Sequence, residues 1–265
     1  MIEPMTMALI AVIFLFAGTV KGIVGLGLPT ISLGLLTAIV DLPTAMVLIL
    51  VPSLLTNIWQ SFAGGNPLKI IRRIWPFLLP ATGLVWLGAM AITNVDWNLL
   101  SLLLGTLLVL YGGIGLKGFR LSFTKRQEFW IAPILGCING VLTGMTGSFV
   151  IPGGMYLQAI GLSRDNLVQA LGILFSLSTL ALAFSLKGNN ILNASLGMQS
   201  LAALLPTIVG VFIGQKVRAK ISETTFRRLF FTALLLLGAY IVGRSILNFI
   251  NILLPLIFAD NCSKL

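Results

Sequence analysis

Long apolar runs recur along this chain from its first ten residues to about residue 258, and they constrain its fold more than any other feature. A helix needs roughly 20 apolar residues to cross ~30 Å of hydrocarbon at about 1.5 Å per residue. Punctuation by glycine, proline and charge divides the chain into ten segments: 5–21, 28–40, 43–63, 74–92, 97–117, 127–145, 149–160, 166–186, 195–215 and 223–250. Eight are long enough to span, or nearly so. The second and seventh, at 13 and 12 residues, are not. Only 9% of the residues are charged, against about 25% in a soluble domain. Most of the outer surface must therefore face a lipid bilayer, and no stretch is left for a soluble catalytic domain. The expected fold class is an all-α polytopic membrane protein.

The net charge of +10 does not imply nucleic acid as a partner. The basic residues sit in short loops between apolar segments, where the positive-inside rule places them. With two short-segment excursions that return to the side they left, the cytoplasmic side collects Lys69, Arg72, Arg73, Lys117, Arg120, Lys125, Arg126, Arg164, Lys216, Arg218, Lys220, Arg227 and Arg228. The outer side receives only Lys187 and Lys264 among clear loop or tail positions. This predicts a multi-pass protein of the cell (inner) membrane with both termini on the non-cytoplasmic side. The first apolar run has no Lys or Arg ahead of it and carries Glu3, so it does not read as a cleaved signal peptide. Arg244 reads as a residue reaching for the outer surface.

Histidine is absent, and Cys137 and Cys262 have no metal-ligand spacing. No metal or cofactor is implied. All seven acids, Glu3, Asp41, Asp96, Glu128, Asp165, Glu223 and Asp260, fall at predicted helix ends or loops. That leaves no carboxylate proton relay or Na⁺ site at membrane depth, and no basis for an enzyme.

The chain also repeats itself. Gly22 to Pro29 echoes Gly140 to Pro152; LLPATGLVWLG (78–88) echoes LLPTIVGVFIG (204–214); 97–113 echoes 226–243. The predicted organisation is a first transmembrane repeat over 1–121, a cytoplasmic connection over 122–126, a second repeat over 127–250 and a tail over 251–265. Five segments per repeat, an odd number, would invert the second repeat in the membrane. Loop charge agrees: the loop from Asn66 to Arg73 is basic where its partner around Lys187 is nearly neutral. Inverted repeats with short, Gly/Pro-interrupted helices at matching positions point to a transporter.

The segments FAGTVKGIVGLGLPTISLGLL (16–36) and GCINGVLTGMTGSFVIPGGMYLQAIGLS (136–163) resemble the paired glycine-rich motifs of the TauE/SafE family of sulfite exporter-like permeases. The resemblance covers about residues 8–247 and implies transport of sulfite, sulfoacetate, taurine-related or other small organosulfur anions. The chain departs from the usual consecutive glycines in having Gly25-Leu26-Gly27, and it places Lys21 where many relatives are uncharged or acidic.

Gly25, Gly27 and Pro29 in the first half, and Thr146, Gly147, Ser148 and Pro152 in the second, are expected to unwind the backbone and start half-helices. Thr146 or Ser148 is the expected N-cap of the second. Half-helix N-termini carry free N–H groups and partial positive charge, and two of them meeting centrally would hold a sulfonate or carboxylate. The same glycines would also serve plain helix packing. Lys21 is the candidate countercharge, with capping of a helix C-terminus as the other reading. Asn57 and Gln60, with Ser53 one turn earlier, could line the cavity or tie helices together; Asn139 and Gln169 are weaker candidates. A permease for another small organic acid or an uncharged solute is the alternative, and a homo-oligomer is compatible with either.

Overall fold

A computed structural model describes residues 4–63, 65, 67–118, 122–218 and 222–262. Glu3, Asn66, Arg120, Lys220 and Lys264 lie outside them. Fourteen helices, and no strand, occur among the described residues: α1 (Pro4–Val24), α2 (Leu28–Thr37), α3 (Leu42–Leu48), α4 (Leu50–Phe62), α5 (Pro67–Gly83), α6 (Val85–Ala89), α7 (Ala91–Asn94), α8 (Trp97–Lys117), α9 (Lys125–Thr146), α10 (Gly153–Ala159), α11 (Arg164–Gly188), α12 (Ala194–Ala202), α13 (Leu204–Arg218) and α14 (Glu223–Cys262). Seven runs among the described residues are long and apolar enough to cross a membrane, and the bent α3–α4 pair makes an eighth. The short second and seventh segments become α2 and α10.

Three differences from the sequence reading have local causes. The third segment is two helices, bent by 43°, because Pro52 has no N–H to donate and its ring crowds the carbonyl of Leu48. The hydroxyl of Ser200 on α12 bridges the gap, accepting from the Val51 N–H at 3.0 Å and donating to the Leu48 carbonyl at 2.9 Å. The fourth segment begins at Pro67 rather than 74, so Lys69, Arg72 and Arg73 lie on the first turns of α5 and not in a loop. Proline is well placed at a helix start, where its missing N–H is not needed. Helix α9 starts at Lys125, inside the expected connection, under a capping box of Thr124 and Gln127.

Helix pairing follows small residues. Helix α1 lies along α13, where Gly18, Gly22, Gly210 and Gly214 leave no room for a side chain between the backbones. Helix α9 lies along α5 and α6, where Gly136, Gly140, Gly144 and Gly88 do the same. This is the small-residue packing that membrane helices use in place of a hydrophobic drive. Helix α4 packs on α11, and α8 on α14.

Hydrogen bonds sort the helix ends onto two faces. On one, Arg244 of α14 donates to the Ala38 carbonyl at the end of α2, near Asp41, and Asn98 at the start of α8 donates to the Ser245 carbonyl. On the other, Arg73 reaches Glu128 and Ile160, and Gln60 reaches Val168 near the start of α11. These are called the Asp41 face and the Arg73 face below.

Candidate functional site

Two helix breaks and one buried cation define the site. The first break follows α1. Gly25 (φ 82°) and Gly27 (φ 104°) are in the left-handed region, and Gly27 is the N-cap of α2 with no side chain capping that end. Pro29 is the second residue of α2. A side chain at Gly27 would be strained by its φ and would also meet the Phe230 ring of α14 at 2.8 Å.

Lys21 lies on the last turn of α1, only 6% exposed. Its Nζ donates to Oδ1 of Asn57, which is fully buried on α4. The Asn57 amide in turn donates to Ser53 Oγ at 3.0 Å. No carboxylate pairs with Lys21 among the described residues. Among the described residues the cation therefore rests on a neutral amide. Gln60, on the same helix, is spent elsewhere, donating to the Val168 carbonyl at 2.7 Å, while Gln169 donates back to the Ser61 carbonyl at 2.8 Å. These two bonds sew α4 to α11, where Gly172 admits the α4 backbone.

The second break follows α9. Gly147 (φ 72°) is the left-handed C-cap of α9, facing Met46 and Leu33. Pro152, not Thr146 or Ser148, is the N-cap of α10. The Thr146 hydroxyl is turned back to the Leu142 carbonyl and accepts the Ser148 N–H, so neither residue reaches the N-terminus of α10. That N-terminus is served by Asn139 of α9, whose Oδ1 accepts the Gly153 N–H at 2.9 Å. Thr143 completes the brace by donating to the Ser148 carbonyl at 3.0 Å. The structure thus brings Asn139, Thr146, Ser148 and Pro152 together around one break, and Lys21 with Asn57 beside the other. No hydrogen bond among the described residues joins the two groups.

The breaks also differ in depth. Gly25 lies against Val168, near the start of α11 on the Arg73 face, whereas Gly147 lies against Met46, near the start of α3 on the Asp41 face. The start of α10 lies deeper than Gly147, with Gly153 against Asn139 of α9 and Leu174 in the middle of α11.

Several buried donors have no partner among the described residues: the Asn139 amide nitrogen and the hydroxyls of Thr30, Ser176 and Ser178. Buried polar groups are ordinarily paired. The Gln169 side-chain oxygen, an acceptor, is likewise without a partner among the described residues.

These features define a class, a polytopic helical membrane protein with a lysine buried in its interior. The Sulfite exporter TauE/SafE family model matches residues 10–241, and the chain belongs to that family of membrane permeases. No curated protein and no solved structure matches it.

The sequence reading missed Thr143, Ser200 and the Arg73–Glu128 contact. A threonine four residues before Gly147 was a usable signal. Nothing in sequence announces that Ser200 meets a kink 150 residues away.

Proposed function

We propose that the protein exports a small sulfur-containing anion, such as sulfite, sulfoacetate or a related organosulfonate, across the cell inner membrane, holding it at Lys21. The carrying observation is the Lys21 ammonium, buried with the neutral Asn57 amide as its one partner among the described residues. A buried charge without an opposite charge is costly, and an anion beside it removes that cost. The adjoining N-terminus of α2, with no side chain capping it, adds a favourable dipole. The Arg73 face, rich in Lys and Arg, is the cytoplasmic side in this reading, with both termini outside.

The pairing of helices supports two inverted repeats, residues 1–121 and 127–250. Exchange of the halves turns the α1–α13 contact into the contact of α9 with α5 and α6, and maps the α4–α11 and α8–α14 contacts onto themselves. In this register Gly22, against Val211 and Gly214, corresponds to Gly144, against Val85 and Gly88. That is four residues beyond the Gly140 of the sequence echo.

Thermal unfolding of the purified protein across sulfite, sulfonates, carboxylates and neutral analogues tests the reading. Sulfite or a sulfonate should raise the melting temperature of the wild type and not of Lys21→Gln. Stabilisation by neutral solutes alone, or an equal anion response in Lys21→Gln, would overturn it.

A further inference from the structure

On the Arg73 face, at some distance in sequence from the Lys21 group, a cleft of about 390 Å³ opens between α5, α9 and α10. Its polar wall carries Arg73, Glu128, Lys125 and Tyr156; its apolar wall is Pro76, Phe129 and Ala132. Arg73 is already committed. It donates from Nε and from a terminal nitrogen to the two Glu128 oxygens, at 3.1 and 3.0 Å, and from that same nitrogen to the Ile160 carbonyl at 2.6 Å. Glu128 balances its charge. The uncompensated cation lining the cleft is Lys125, exposed at the first turn of α9, with Arg126 beside it in the chain.

The second polar group is Tyr156. It is 1% exposed, its ring stacks on Phe77 at 4.6 Å, and its hydroxyl has no partner among the described residues. A buried phenol hydroxyl normally finds a partner. The cleft thus offers a free O–H donor and a free ammonium to one occupant.

The apolar wall identifies the occupant further. Phe129 and Trp130 are 60% and 67% exposed and touch edge to face with centroids 5.5 Å apart. On a helix start at the membrane boundary they form a piece of an aromatic belt. A free oxyanion has no use for Pro76, Phe129 and Ala132, whereas an acyl chain lies along such a surface while its headgroup turns inward. Basic clefts between membrane helices on the side rich in Lys and Arg suit anionic headgroups.

We propose that this cleft binds an anionic phospholipid, its phosphate held by Lys125 and the Tyr156 hydroxyl and one acyl chain lying along Phe129 and Ala132. The lipid joins α5, α9 and α10 at the point where Arg73 holds the end of α10, so its occupancy stabilises that junction. The proposal is independent of which solute the protein carries.

The test is thermal unfolding of the full-length protein in detergent, titrated with phosphatidylglycerol, phosphatidylcholine or inorganic phosphate. Phosphatidylglycerol should raise the melting temperature saturably and the other two should not. Lys125→Gln should weaken the phosphatidylglycerol response by about fivefold, the effect of one basic residue at a lipid surface, and Tyr156→Phe should weaken it several-fold while keeping the ring stack. Lipid-bound mass spectra of the wild type provide a reading that needs no variant, with phosphatidylglycerol retained over phosphatidylcholine. An equal response to phosphatidylcholine would remove headgroup recognition, and an equal response to phosphate would reassign the site to a soluble anion. Wild-type affinity in both variants would overturn the site itself.

Discussion

The two helix breaks are built alike and finished differently. Each ends a long helix at a left-handed glycine, Gly25 or Gly147, and each leads into a short helix. The short helices are even closed alike. An arginine from another helix donates to the last carbonyl of each, Arg244 to Ala38 of α2 and Arg73 to Ile160 of α10. Between those ends they diverge. The residue before Gly144 is Thr143, which ties down its own break; the residue before Gly22 is Lys21, which leaves its break to reach α4. The second break is braced by Asn139, Thr143 and Thr146. The first has a backbone bond from the Gly25 N–H to the Lys21 carbonyl at 2.7 Å and side-chain packing around it. The difference separates roles: a neutral, braced break suits a fulcrum, and a charged, unbraced one suits a solute.

The comparison can be broken first at its common ground. Gly22→Leu and Gly144→Leu each force a side chain into a facing backbone, and both should abolish recovery of folded, monodisperse protein. A folded product from only one of them would show that the halves do not pack equivalently.

The arginine closures should rank unequally. Arg73→Gln strands Glu128, which is 9% exposed, and should cost about 3 kcal/mol. Arg244→Gln loses a helix C-terminal contact at an exposed site, worth about 0.5 kcal/mol. Unfolding in denaturant compares them, and equal losses would remove the distinction.

Asn139→Leu leaves the buried Gly153 N–H without an acceptor and should cost about 2 kcal/mol. Thermal unfolding without ligand checks this, and an unchanged melting temperature would show that the second break needs no brace. The smallest stability effect belongs to Lys21→Met. It removes a charge that has no opposite charge beside it, so the melting temperature should stay within a few degrees of wild type while stabilisation by sulfite is lost. A collapse in stability instead would make Lys21 a structural residue.

Most of the architecture was legible because membrane burial writes itself as length. A helix that must satisfy its own backbone in lipid shows up as an apolar run of fixed size, and the two undersized runs proved to be α2 and α10. What was illegible was pairing across distance. Pro52 was visible, but not that Ser200 would bridge its bend. Arg72 and Arg73 were read as loop charges, since a basic cluster at a helix start looks like a loop, and only packing brings Arg73 to Glu128. At the site, the glycine pattern marked where the backbone would unwind. Whether Asn139 or Thr146 would cap α10 depended on how α9 and α10 lie against each other, which residue spacing does not encode.

The lone charge of Lys21 also bears on how voltage acts. With a monovalent anion beside it, the loaded site is neutral and crosses the field without electrical work. The empty site keeps its positive charge, so the return step feels the potential, up to ~2.3 kcal/mol per 100 mV for a full crossing. A membrane negative inside would then draw the unloaded site back toward the cytoplasm, resetting the carrier for export with no coupled ion.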